Sequence, residues 1–446
     1  MTRGARLAAD RRGFALVLVL MALGSATLIL VSLQSSAYRQ AMGGREAVAR
    51  VRATWAARAG LEATIARMAN DLESEPSGSA YTRIDDMAEV ASGTLSGASW
   101  LIEHAFGTEN REGAEDAHAK ININRMTVED LMLLPNMTED VADAILDWTD
   151  PDDDVRELGA EAGFYSQLLS PYEPRNAWMR TLGELELVAG VEPEFVRGED
   201  WNLNGRLDPN EDDGDLSWPP DDADGTLDAG WSEWLTTRSI DNRLNPRGEA
   251  MVSLPEASSE QLIAAVEGLT PIQAQAILAH AQAGEAAMTD FIQTPLRQIA
   301  QQDGVLGRAA QAVTNLENEQ LIDLLDNTTM IIESDGPIPG RVNINTCRRQ
   351  TLDYLEVFGD LQGSALADLL WTARQSRANG FANIMDLAEI VGAQQTAFLA
   401  QYIDVQSNAY RVSCRGMDEA TGIEVEIVVT IQADHLPVVI SEYVVR

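Results

Sequence analysis

The sequence predicts an α+β protein: a long N-terminal helix packed on an antiparallel sheet, with a large helical domain inserted between the early and late strands. Three observations predict it. An apolar, charge-free run from Phe14 to Tyr38 passes into Ala-rich sequence of helical periodicity that lasts to about Leu72. Strand-like alternation is concentrated around Ala98-Ser99-Trp100-Leu101-Ile102 and after Tyr402. Between these two regions, from about residue 120 to 395, a helix–turn–helix unit recurs.

The N-terminal helix sets the topology. Phe14 to Leu33 is mostly apolar, and as a helix it is about 30 Å long, enough to cross a bilayer core. Arg3, Arg6, Arg11 and Arg12 stand before it against Asp10, which keeps the leader cytoplasmic. A secretory signal would have its small-residue cleavage site after the apolar core, and an uncleaved anchor has the same order of charge and apolar residues. Here Gly13 precedes the apolar run. That order resembles a prepilin signal, cut between Gly13 and Phe14 with the helix retained. The expected division is leader 1–13, membrane helix 14–35, remaining helix and first strands 36–119, inserted helical domain 120–395, and closing strands 396–446.

Along the helix, Val48, Val51 and Trp55 share a helical spacing, as do Leu61, Ile65, Met68 and Leu72; Gly43-Gly44 is a place for a bend. Glu73 to Gly78 reads as a loop, and Tyr81 to Phe106 as β-prone in pieces.

The chain has 446 residues, room for two or three domains. It carries 70 acidic against 32 basic residues, a formal net charge of −38. Such a surface repels nucleic-acid phosphates and anionic lipids and attracts divalent cations. Lys120 is the sole lysine, and no G-x-x-x-x-G-K-[ST] loop exists. Cys347 and Cys414 lie in segments of different kind, helical and strand; an oxidising compartment would permit a bridge, and the sequence leaves it open.

The recurring unit begins at Lys120-Ile121-Asn122-Ile123-Asn124 and runs through a turn at Pro135-Asn136-Met137 to a helix over Glu139–Trp148. A second copy begins at Arg341-Val342-Asn343-Ile344-Asn345. A divergent third spans Val252 to His280, with Gly268 at its turn. These resemble helix-hairpin-helix units, which often bind DNA through backbone N–H groups. Here Glu129, Asp130, Glu139, Asp140 and Asp143 flank the first hairpin, so a structural use is favoured over DNA binding.

Acidic sequence fills the space between copies. Asp147, Asp150, Asp152 and Asp154 cluster at the end of the first helix as candidate cation ligands. Further on, Asp200 to Glu211 fits the twelve-residue EF-hand-type template. Asp200, Asn202 and Asn204 would give side-chain oxygens, Arg206 its carbonyl, Asp208 a direct or water-mediated contact and Glu211 a bidentate carboxylate, with Gly205 at the sharp turn. All-oxygen ligands select Ca²⁺. Asp222, Asp224 and Asp228 form a half-match. No clear exiting helix follows, which suits a structural staple rather than a sensor.

Tyr402–Val405, Ala409–Cys414, Ile423–Ile431 and Val438–Val445 read as closing strands, one face of the sheet packing on a helix. His104, His118, His280 and His435 are scattered without ligand spacing, and there is no G-x-S-x-G elbow; the expectation is a protein without catalytic activity.

Taken together, the chain resembles the minor pseudopilin K family of type II secretion. The signal at Gly13-Phe14 is similar. Leu18 stands where most pilins carry the fifth-position glutamate, a departure characteristic of that family. The N-I-N segments at Asn122 and Asn343 are similar too. The run from Asp147-Trp148-Thr149-Asp150 through Gly163-Phe164-Tyr165, Pro171-Tyr172, Arg175-Asn176 and Glu184-Leu185 carries the most specific likeness. The resemblance implies a pilin-like head, calcium in the inserted domain, and cleavage and methylation at Phe14 by a prepilin peptidase. It implies a single pass through the bacterial inner membrane with the C-terminal bulk in the periplasm. The other minor pseudopilins and the major pseudopilin would be partners, and nucleic acid would not. The implied role is at the tip of the pseudopilus, initiating its assembly for export of folded proteins. A type IV pilus minor pilin and a membrane-anchored periplasmic helix-hairpin-helix nucleic-acid receptor are the alternatives.

Overall fold

The computed structural model describes residues 4–74, 80–106, 109–284, 286–303, 307–332, 338–359, 361–433 and 435–446. One helix, α1, runs unbroken over Gly4–Ser74, through Gly43-Gly44. Its apolar window from Phe14 has a mean hydropathy of 2.7 and lies wholly outside the packed core, so it is long and apolar enough to cross a membrane. Of the expected loop at Glu73–Gly78, the first two residues belong to α1 and the rest lies outside the described residues.

The upper half of α1 packs on a seven-stranded sheet. The main order is Ser92–Leu95, Ala98–Phe106, Ala409–Asp418, Glu424–Gln432 and Val439–Val445, all antiparallel. Glu109–Glu112 pairs with Ala98–Phe106, and Glu115–Asp116 with Ala409–Asp418. Early and late strands thus lie side by side, Ile102 opposite Cys414. The β-prone reading from Tyr81 fails at its start: Ala80–Ala88 is a helix, and strands begin at Ser92.

Small residues bring α1 close to the sheet. Ala49, Ala53, Ala56, Ala57 and Leu61 are buried against it. A Cβ on Gly416 would lie 1.9 Å from Ala53 O, and one on Gly60 would lie 2.4 Å from the Trp100 ring and 2.6 Å from Cys414 Sγ. Only glycine allows that approach. Val48, Val51 and Trp55 point the other way and are over half exposed. The apolar spacing therefore marked two faces of the helix, one for the head and one left outside it.

The sheet is covered on both faces, contrary to the one-sided packing expected from alternation. In Glu424–Gln432, Ile427, Val429 and Ile431 join the core under α1. The opposite residues Glu426, Val428 and Thr430 are buried as well. Glu426 accepts from Ser413 Oγ at 2.7 Å and faces Arg206 at 3.9 Å.

The helical insertion leaves and returns at one place, where Asp116 pairs with Tyr410. Each of its three units opens with a two-residue strand that pairs in parallel with a short strand near the unit's end. Ile121–Asn122 pairs with Leu235–Thr236, Val252–Ser253 with Thr328–Thr329, and Val342–Asn343 with Ile403–Asp404. The first and second N-I-N units share one apolar core, containing Leu131, Ile145, Trp231, Ile344, Phe358 and Phe381; the divergent unit has its own around Leu262 and Ile277.

The N-I-N motif has a physical role. Asn122 Oδ1 accepts from Asn124 N and its Nδ2 donates to Ser239 O at 2.6 Å. Asn343 does the same with Asn345 N and Ser407 Oγ. The second asparagine of each pair brackets a distant peptide. Asn124 accepts from Met179 N and donates to Met179 O; Asn345 accepts from Phe381 N and donates to Phe381 O and Val405 O. An amide carries one acceptor and two donors in a plane, which matches a strand edge.

Cys347 and Cys414 are buried and free. Cys347 lies in the core of the insertion and Cys414 in that of the head, which is why no bridge forms.

Candidate metal centre

The segment Asp200–Glu211 follows a short helix, Pro193–Arg197, and a sharp turn at Gly198, φ +53°. It folds as a tight loop because its polar side chains accept from its own backbone. Asp200 accepts from Asn204 N and Gly205 N, both at 2.8 Å. Asn202 Oδ1 accepts from Asn204 N at 2.9 Å and Asn204 Oδ1 from Arg206 N at 2.8 Å. Glu211 reaches back to accept from Asp208 N at 3.0 Å. Gly205 has φ +71°, as the sharp turn requires.

Inside the loop Asp208 is the hub. Its Oδ2 accepts from the amide groups of Asn202 and Asn204 at 2.9 and 2.8 Å, and its Oδ1 pairs with Arg206 Nη2 at 2.6 Å. Amide N–H groups and a guanidinium thus supply the positive charge at the carboxylate. A cation would be met instead by the amide oxygens, a rotation that exchanges N for O.

Asp200, Asn204 and Glu211 are each 1% exposed. Glu211 Oε1 is buried without a partner among the described residues. Burial, with Asp200 and Asp208 nearby, pushes the Glu211 carboxyl up to about 7 despite the Asp208 N–H. Burial likewise raises Asp200. A divalent ion would remove both the repulsion and the orphaned oxygen. The donors fit Ca²⁺: three carboxylates, two amide oxygens and a main-chain carbonyl. Among the described residues no three His, Cys, Asp or Glu side chains are grouped closely enough to hold a metal ion, so Asp200, Asp208 and Glu211 do not converge on one point in this conformation.

The loop ties the insertion to the head. Gly205 O accepts from Ala105 N at 2.7 Å, and Leu203 O from Arg411 Nη2 at 2.7 Å. Arg446 donates to Asn202 Oδ1 at 3.4 Å. A cavity of about 220 Å³ adjoins it, lined by Asp200, Glu115, Lys120 and Arg411 among others. There Glu115 pairs with Lys120 at 2.9 Å and with Arg411 at 3.5 Å. Burial opposes ionisation of Glu115, yet these two cations hold its carboxyl well below the usual range.

The remaining candidates divide. Asp222, Asp224 and Asp228 are exposed, and each caps its own turn: they accept from Asp224 N, Thr226 N and Gly230 N. They do not converge. Asp152 and Asp154 are exposed as well, Asp152 accepting from Asp154 N. Asp147 is buried and Asp150 half-buried. Glu161, which the sequence reading passed over, is buried near them. Its signal was faint: one carboxylate beyond the acidic run, ahead of Gly163-Phe164-Tyr165. Gly13 and Phe14 lie within α1.

A long membrane-compatible helix continuing into an antiparallel head defines a pilin-like protein, here with a helical insertion. Residues 105–198 match the sequence model of the family described as "Type II secretion system (T2SS), protein K". Among curated proteins, none matches significantly. Among solved structures the chain is similar to one titled "The Crystal Structure of the GspK-GspI-GspJ complex from enterotoxigenic Escherichia coli Type 2 Secretion System". The similarity is 13% identity and a TM-score of 0.44, over 90% of this chain and 99% of that one.

Proposed function

We propose that this protein is a minor pseudopilin of a type II secretion system, placed at the tip of the pseudopilus. The observation that carries the reading is the protein K segment at 105–198 in a chain whose apolar span and head share one helix. The exposed stripe Val48, Val51 and Trp55 extends the apolar surface of the span upward, which suits bundling with the helices of neighbouring subunits. The insertion, rooted beside Tyr410, adds bulk to the head and would hinder addition of a subunit above it. Leu18 in place of a fifth-position glutamate agrees with a subunit that has no neighbour above. Partners by this reading are the other minor pseudopilins and the major pseudopilin, and the complex starts the assembly that exports folded proteins. A prepilin peptidase cuts after Gly13, and the bulk of the chain lies in the periplasm. Calcium at Asp200–Glu211 staples the insertion to the head through Gly205, Leu203 and Asn202.

The test is the N-terminal sequence and mass after co-expression with a prepilin peptidase, followed by localisation in assembled filaments. The expected result is a methylated Phe14 terminus and label at one filament end. An intact leader, or label along the whole filament, overturns the reading.

A further inference from the structure

The seven-stranded sheet has two outer edges, and they differ. One is Ser92–Leu95, four residues long with a glycine inside it. A strand that short offers little to pair with. The other is Val439–Val445, seven residues reading Val-Ile-Ser-Glu-Tyr-Val-Val, with no Lys, Arg or Pro to blunt it. Among the described residues no strand pairs with its outer side. Glu426 and Arg446 exchange both main-chain hydrogen bonds, at 3.2 and 2.9 Å. Alternation from that pair turns the N–H and C=O of Val444 inward and those of Tyr443 and Val445 outward. The register shift at Thr430/Ile431 leaves these two residues in regular pairing. Ile440, Tyr443 and Val445 stand opposite Ile431, Val429 and Ile427, on the face that α1 covers further in. At this edge they are 41%, 44% and 52% exposed. Unpaired main-chain groups are thus flanked by an apolar stripe.

On its other face the edge borders a cavity of about 760 Å³ between head and insertion. Ser441 and Glu442 line it from the strand, and Arg175, Trp178, Arg180 and Arg238 from the insertion. Arg238 is occupied by Glu442, through bonds of 2.5 and 2.8 Å. Arg175 meets Glu184 at 3.3 Å. Arg180 differs. Its main-chain N–H donates to Glu184 at 2.9 Å, while its guanidinium is exposed and has no partner among the described residues. A guanidinium left open beside a strand edge, in a chain of net charge −38, is a receptor for an incoming carboxylate.

We propose that Val439–Val445 is a strand-docking edge whose occupant is an extended segment of another polypeptide, with apolar residues alternating with acidic ones. Such a segment exchanges main-chain hydrogen bonds with Tyr443 and Val445. Its side chains alternate between two faces, so the apolar set lies beside Ile440, Tyr443 and Val445 and the carboxylates turn toward Arg180. A basic segment is rejected, because Arg180 repels it and Glu442 is already held by Arg238. The inference rests on the sheet and the cavity and stands apart from any position in a filament.

The probe is a synthetic peptide alternating valine and glutamate, about nine residues long so that it overhangs the strand at each end. One companion carries lysine in place of glutamate. A second carries N-methyl groups on the amides that would face the edge. Fluorescence anisotropy of the labelled peptide is measured against the full chain in detergent, with detergent alone subtracted. The glutamate peptide should bind, the lysine peptide should bind about tenfold more weakly or worse, and the N-methylated peptide should not bind measurably. Arg180→Glu should weaken the glutamate peptide by about tenfold and strengthen the lysine peptide, since it reverses the charge at the cavity. Tyr443→Pro removes an outward N–H and should weaken the glutamate peptide; should that variant fail to fold, the N-methylated peptide asks the same question. No binding of the glutamate peptide, equal binding of the glutamate and lysine peptides, or binding indifferent to N-methylation overturns the proposal. Sedimentation velocity without peptide covers the remaining occupant. A dimer that Tyr443→Pro dissociates assigns the edge to a second copy of this chain and overturns the proposal; a monomer in both supports it.

Discussion

Asn345→Ala tests whether the recurring N-I-N segments are structural brackets. Asn345 is fully buried. Its side chain accepts from Phe381 N at 2.8 Å and donates to Phe381 O at 2.9 Å and Val405 O at 3.1 Å. Alanine strands three backbone groups in the interior and leaves a cavity of amide size. At about 1–3 kcal/mol for each buried group, discounted for relaxation and entering water, the loss is about 3–6 kcal/mol. Asn124→Ala removes the equivalent bracket on Met179, which has two bonds from a side chain that is only partly buried. Its cost should be about 1–3 kcal/mol. The assay is urea unfolding of the full chain in detergent, followed by far-ultraviolet circular dichroism and tryptophan fluorescence, with the m-value checked for constancy. A loss below about 1 kcal/mol for Asn345→Ala, or one no larger than for Asn124→Ala, would refute the bracket argument. It would also reopen the question of what these segments are for.

Four further outcomes are expected. Calcium at a hundredfold excess over its dissociation constant should stabilise the protein by about 2.7 kcal/mol through the Asp200–Glu211 loop, and Glu211→Gln should abolish that gain in a melting assay with and without chelator. Lys120→Met should destabilise by about 3–5 kcal/mol, because it leaves Glu115 buried with a weaker partner; pairing it with Glu115→Gln should recover part of the loss in a double-mutant cycle. The Glu115 carboxyl is depressed in the folded state, so its contribution is complete above the ordinary glutamate value near 4.5 and is lost as pH falls toward its lower folded value; acid titration of the parent and of Glu115→Gln should diverge in that window. Gly416→Val should lift α1 from the sheet, since the added Cβ meets Ala53 O, and should cost about 3 kcal/mol or more by chemical denaturation.

Several features were legible without coordinates. The charge-free run from Phe14 fixed an unbroken span, because twenty apolar residues admit few other fates. The closing strands were visible from their period. The loop at Asp200–Glu211 was visible because its geometry is local: each side chain caps a backbone N–H within five residues, and Gly205 sits where φ must be positive. The recurrence of N-I-N was visible as a pattern, but its purpose was not. Met179 and Phe381 lie 55 and 36 residues from the asparagines that bracket them.

What the tertiary structure alone decided is long-range. The apolar stripes of α1 looked alike in sequence; glycine at 60 and 416 and the alanines between determined which face met the sheet. The second buried face of Glu424–Gln432 arose because the insertion folds back over it, and alternation along one strand carries no record of what a distant segment covers. The acidic residues show the difference most plainly. Asp152, Asp154, Asp222 and Asp224 have the same chemistry as Asp150 and Glu161, yet they remain in water, where a carboxylate is solvated without cost. Burial makes a carboxylate demand a partner, and burial is a property of the fold rather than of the local sequence.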